Sequence, residues 1–183
     1  MAIKVLKQLL HPIGYLWIKT RHGEKRLVDW VFPTMAALTV TSIWAAWPGL
    51  IPLRGTEGVV TGIGSIMQVL VGFYVAALAA VATFPSPALD QEAIGMSRAG
   101  QPIKRRVFLA ALFGYLAFLG LCLLVMSLFK KLPTALALET AQLARYAVHA
   151  LLFLHQLIFW QMVFITLLGL YYLTDRIHRN EAG

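Results

Sequence analysis

Four long apolar stretches dominate the chain, with short polar segments between them. They run roughly over Leu27–Leu50, Val59–Phe84, Val107–Phe129 and Val148–Leu173. A helix rises 1.5 Å per residue and needs about 20 apolar residues to cross the ~30 Å hydrocarbon layer, so each stretch is long enough to span. The pattern predicts an all-α membrane protein: one domain over residues 1–183 with four transmembrane helices. Pro33 falls near the start of the first stretch, where a first helical turn tolerates proline. Pro48 and Pro52 mark its exit into a short loop, and Pro85 and Pro87 stop the second stretch.

Composition agrees. The chain is 59% hydrophobic and 13% charged, against about 25% charged for a soluble domain. A net charge of +8 would suggest nucleic acid in a soluble protein, but here the charges flank the spans, so no direct nucleic-acid binding is expected. Residues 1–27 hold six Lys and Arg, the loop 85–106 four and the tail two, which makes twelve; Arg54, Lys130, Lys131 and Arg145 are left for the other side. The positive-inside rule then puts both termini and the middle loop in the cytoplasm, in a multi-pass membrane protein. Trp30, Tyr171 and Tyr172 mark the inner interface, and Trp44, Trp47 and Tyr146 the outer one. The apolar run begins too late and lasts too long for a cleavable signal peptide. Cys122, the single cysteine, reads as a small buried thiol.

Three segments outside the bilayer invite a role. Residues 1–26 begin with basic and apolar groups at helical spacing, which predicts an amphipathic helix over 1–20 on the cytoplasmic leaflet, kinked at Pro12 and Gly14. Lys4, Lys7, Trp17 and Lys19 would face membrane lipid, at about 1 kcal/mol per basic residue. A plain topology-setting flank and a partner-docking helix are the other readings. The loop 85–106 is the most polar part, and Asp90, Glu92, Arg98, Lys104, Arg105 and Arg106 suit contact with a cytoplasmic protein; a solvated hairpin is the plainer reading. Residues 130–147 can extend the fourth helix outward. Thr134 to Ile177 would measure about 66 Å, twice the apolar layer, which favours a protruding outer helical extension.

Inside the bilayer, small residues recur at four-residue spacing. Gly72, Ala76 and Ala80 in the second span, with Ala110 and Gly114 in the third, predict close helix packing within or between subunits. The fourth span carries Gln142, His149 and Gln156 seven residues apart, hence on one face, with His155 and Gln161 beside them. Buried polar groups in lipid need partners, so this face either hydrogen-bonds to other helices or lines a cavity or pore. A metal role fails because His149 and His155 are six residues apart with no third ligand near. An intramembrane serine hydrolase would have to use Ser65 and His155 without the usual glycine pattern around the serine. No charged residue is read at mid-membrane, and no Walker, dinucleotide or Cys-x-x-Cys motif appears. No cofactor, no metal and no enzymatic activity are expected.

The junction Phe73-Tyr-Val-Ala-Ala-Leu-Ala-Ala-Val-Ala-Thr-Phe-Pro-Ser-Pro-Ala-Leu-Asp90, followed by Gln-Glu-Ala-Ile-Gly-Met96, resembles the membrane subunit of the bacterial Kiwa antiphage defence system. The resemblance implies a homo-oligomer, a tetramer being favoured, that senses phage attack at the envelope and acts with a cytosolic DNA-binding subunit. It makes the loop 85–106 and the basic N-terminal segment the docking surfaces, and transfers no catalytic residue. The expectation is therefore a non-enzymatic membrane sensor and anchor that recruits a cytoplasmic effector. The alternative is a small oligomeric ion channel or pore-forming effector lined by His155, Gln156 and Gln161.

Overall fold

The computed structural model describes residues 10–20, 23–47, 58–128 and 141–176, together with Lys4 and Gln8. Four helices within it are long and apolar enough to cross a membrane. The first, α1, is continuous over Glu24–Ala46. α2 is Val59–Thr83, α3 is Arg105–Leu128 and α4 is Ala141–Tyr171, which runs on through a wider turn over Tyr172–Arg176. α2 ends where Phe84 turns extended ahead of Pro85, since a residue before proline is pushed out of helical geometry.

The start of α1 corrects the expectation for Pro33. The helix begins at Glu24, so Pro33 lies well inside it rather than in its first turn. Proline has no N–H to give to the carbonyl four residues back, and the helix widens into a π-type turn over Leu27–Val31 just before it. Such turns insert a residue and release part of the regular hydrogen bonding.

The starts of α1 and α3 and the ends of α2 and α4 gather at one end of the bundle. There the chain is not all-α. Strands β1 (Ile18–Thr20), β2 (Glu92–Arg98) and β3 (Gln101–Lys104) form an antiparallel sheet in the order β1-β2-β3. Ile18 faces Arg98, Lys19 faces Ser97 and Thr20 faces Met96. The β2–β3 turn is Ala99-Gly100, with φ of 52° and 82°; two positive φ values in a two-residue loop match the twist of the flanking strands. β2 advances five residues from Glu92 to Ser97 while β3 advances two from Lys104 to Pro102. The excess is a bulge that contains Gly95 at φ 74°, a conformation that suits glycine. The middle loop is thus a hairpin, but one completed by the N-terminal segment.

That segment corrects a second expectation. Lys4 and Gln8 are helical, but over its second half the expected amphipathic helix gives way: residues His11–Trp17 form a tight 3-10 helix with Pro12 in its first turn, followed directly by β1. Gly14, Tyr15 and Ile18 are buried, and the turn packs on α3. Residues 1–3, 5–7 and 9 of the expected helix lie outside the described residues. So do 130–140 of the outer extension, although 141–147 are helical and carry α4 beyond its expected start.

Across the bundle the helices follow the order α1, α4, α3, α2. α3 is the centre: Phe108, Leu109, Leu112, Leu116 and Leu123 have no exposed surface. Met67 and Tyr74 of α2 and Met162 and Ile165 of α4 join the same core. Large apolar side chains such as Val69, Phe73, Leu121, Leu154 and Leu167 point outward, as helices facing lipid allow. In lipid, association rests on close packing and interhelical hydrogen bonds. Gly120 supplies the tightest approach: a Cβ there would stand 2.5 Å from Val71 Cγ2, a stiff β-branched side chain. Tyr74 bonds Thr166 at 2.7 Å to tie α2 to α4. The stripe of Gly72, Ala76 and Ala80 faces out of the bundle instead, and open space surrounds Gly72 and Gly114. Within the chain they are not the packing glycines.

Candidate functional site

The most elaborate polar arrangement among the described residues lies just beneath the sheet. Lys25 and Asp29, one helical turn apart on α1, form an ion pair in which the two residues keep 6% and 3% of their surface exposed. Tyr15 donates its hydroxyl to Asp29 Oδ1 at 3.1 Å. Lys25 Nζ also sits 3.8 Å from the centre of the Tyr15 ring, a cation over a π face. Burial, more than the Asp29 charge beside it, pushes the Tyr15 phenol well above its ordinary range, so it remains a hydrogen-bond donor. Tyr15 stacks on Tyr115 of α3 at 5.2 Å.

The network then crosses to α4. Tyr115 donates to Gln161 Oε1 at 3.0 Å, and Gln161 Nε2 donates to the backbone carbonyl of Asp29 at 2.8 Å. That carbonyl is the one Pro33 leaves without a helical donor. Five residues from the N-terminal turn, α1, α3 and α4 are therefore joined in one hydrogen-bonded unit. Buried ion pairs offset their desolvation cost only when the remaining lone pairs and protons are satisfied, and here Asp29 receives both its cation and a phenol.

Two arginines fix the other side of the platform. Arg106 holds Asp90 with Nε to Oδ1 at 3.0 Å and Nη2 to Oδ2 at 3.3 Å. Its Nη1 also donates to the carbonyls of Val81 at 2.6 Å and Phe84 at 2.9 Å, at the end of α2, where a cation complements unsatisfied carbonyls. This fork holds the Asp90 carboxyl below the usual carboxylate range. Arg105 is 2% exposed and reaches the Ala88 carbonyl at 3.4 Å.

These placements divide the expected docking residues. Arg105 is interior, and Arg106 with Asp90 is committed to the chain's own loop. Arg98 is half-buried over Gly14, where a Cβ would meet its Nη2 at 2.9 Å. Glu92 and Lys104 are exposed. Of the expected lipid-facing residues, Lys4, Trp17 and Lys19 are exposed and Lys7 lies outside the described residues. Gly72 and Ala76 face outward. On α4, His149 stands 5.0 Å from the Trp44 ring, while His155, Gln156 and Gln161 are buried. Gln161 is bonded at both ends of its amide.

A crevice of about 300 Å³ adjoins the ion pair, lined by Thr20, Lys25, Val28, Met96, Leu168 and Tyr172 among others. It lies between the sheet and the ends of α1 and α4. A wider groove over Lys19, Glu92, Ile94 and Pro102 shares its β2 wall. No group of three or more His, Cys, Asp or Glu side chains that could hold a metal occurs among the described residues.

Tyr15 and the Lys25–Asp29 pair escape the sequence reading because the long apolar run absorbs its own first turn. The i, i+4 spacing of Lys25 and Asp29 on a helix was the available signal. The chain matches no protein-family model, no curated protein and no solved structure.

Proposed function

We propose that this chain is a non-enzymatic membrane sensor and anchor that oligomerises and recruits a cytoplasmic effector, in antiphage defence. The reading takes the sheet end as cytoplasmic, following the excess of Lys and Arg there, and takes the bilayer as the bacterial inner membrane. A homo-oligomer, with a tetramer favoured, and a soluble protein partner belong to it. So does the likeness of the 73–96 junction to the Kiwa membrane subunit.

The observation that carries it is the pairing of β1 with β2. It joins the N-terminal segment to the middle loop and makes a firm surface out of the two most basic segments. The buried Tyr15–Asp29–Lys25 lock couples that surface to α1, α3 and α4, so movement of the spans reaches the platform. The channel alternative keeps only His155 and Gln156 as lining candidates, because the Gln161 amide is already engaged.

The test uses the exposed face of the sheet. Glu92, Ile94 and Lys104 are exposed, and the triple variant Glu92→Lys, Ile94→Asp, Lys104→Glu leaves the buried lock and the Arg106 fork in place. In the native host this variant should reach the membrane at the normal level and lose protection against phage. Unchanged protection at normal levels would overturn the docking role of the sheet.

A further inference from the structure

Five buried side-chain atoms lack a hydrogen-bond partner among the described residues: Thr41 Oγ1, both ring nitrogens of His155, Gln156 Nε2 and Trp160 Nε1. All belong to α1 or α4, and none to α2 or α3. His155 is 4% exposed and Gln156 2%. Two ring contacts set the antiparallel register of these helices: Trp44 with His149 at 5.0 Å and Phe32 with Phe164 at 5.7 Å. Thr41 falls between these contacts on α1, and His155, Gln156 and Trp160 fall between them on α4. Gln156 and Trp160 share the face of α4 that carries His149, so with Thr41 they occupy one stretch of the α1–α4 seam, in the middle of two spans. His155 lies on the other face, with Met162, Thr166 and Gly169, which meet α2 and α3.

An unpaired polar atom in such surroundings is costly, and in lipid no solvent relieves it from outside. The rest of the bundle pairs its interior polar groups with care, as Tyr74, Tyr115 and Gln161 illustrate. α1 is also the least embedded helix on this seam: over Phe32–Ala46 only Pro33 and Ala37 are buried. Its firm attachment lies at Asp29, below the orphaned stretch.

We propose that α1 separates from α4 above the Asp29–Gln161 bond, opening a seam that takes water onto Thr41, Gln156 and Trp160. The ligand class is water and other small neutral hydrogen-bonding molecules. A water accepts from the amide and indole N–H groups and donates to the hydroxyl oxygen. The apolar α2–α3 seam, with no orphaned group, stays closed. The inference stands apart from the sensor reading and gives the bundle a moving part whichever partner binds the sheet.

Cysteine accessibility tests it in proteoliposomes, in the full chain with Cys122→Ala. Thr41→Cys and Gln156→Cys should react with a small water-soluble methanethiosulfonate at least about tenfold faster than Leu116→Cys, a fully buried α3 position. Equal rates at all three would overturn the proposal. Water-edited solid-state NMR of the unmodified chain with ¹⁵N-indole-labelled tryptophan gives an independent reading, with Trp160→Phe assigning the signal. Polarisation transfer from mobile water to the Trp160 indole N–H is expected, and a dry indole contradicts the opening.

Discussion

Gln161 of α4 donates its amide to the main-chain carbonyl of Asp29, 2.8 Å away, the acceptor that Pro33 cannot serve. A covalent peculiarity of one helix is thus answered by a side chain of another, and the answer positions the ion pair beneath the sheet. Gln161→Leu removes this bond and the one from Tyr115 together. Leaving buried groups unpaired costs about 1–3 kcal/mol each, so the thermal midpoint should fall. Pro33→Ala restores a backbone donor and should return part of the loss, with a coupling of about 0.5–3 kcal/mol in a double-mutant cycle.

The Lys25–Asp29 pair predicts an asymmetry. Lys25→Met alone strands a buried carboxylate, and Asp29→Leu alone strands a buried ammonium; each should cost about 3–5 kcal/mol. The double variant should recover most of that stability, because apolar replacement of a whole buried pair is often neutral. Detergent melts of the three variants measure this, and additive losses would show that the pair is not one unit.

Ala99 occupies φ 52°, where a Cβ is crowded and glycine is not. Ala99→Gly should therefore stabilise the hairpin by about 1 kcal/mol. Slower hydrogen exchange at the β2–β3 amides would register it.

The Arg106 fork makes the loop 84–91 sensitive to acid. Its hydrogen bonds lower the folded-state pKa of Asp90, so the clamp's contribution is present above the unfolded value and lost as pH falls through the folded one. The Arg105 amide, bonded to the Gln91 carbonyl at 2.9 Å, should lose exchange protection over that acid range. Asp90→Asn should remove the pH dependence.

The spans were legible because a bilayer demands length and apolarity, and both are local properties of the chain. The sheet was not. Its strand Glu-Ala-Ile-Gly-Met-Ser-Arg alternates poorly, carries a glycine bulge, and gains its third strand from residues that precede α1. Pairing of Ile18 with Arg98 is a tertiary fact that no window of sequence contains. Interior hydrogen bonding of Gln161 was readable in kind, since a buried amide must find partners, but its acceptor was hidden in Pro33. The outward Gly72 and Ala76 show the limit of spacing: it finds a small-residue face without saying which way that face points.

The central claim is that the sheet end receives a soluble effector. Affinity purification from the native host in mild detergent, followed by native mass spectrometry, tests it most directly. The account predicts a defined homo-oligomer carrying a soluble protein, which is lost from the Glu92→Lys, Ile94→Asp, Lys104→Glu variant while the oligomer persists. A homo-oligomer with nothing attached, or a partner indifferent to those three substitutions, would contradict it.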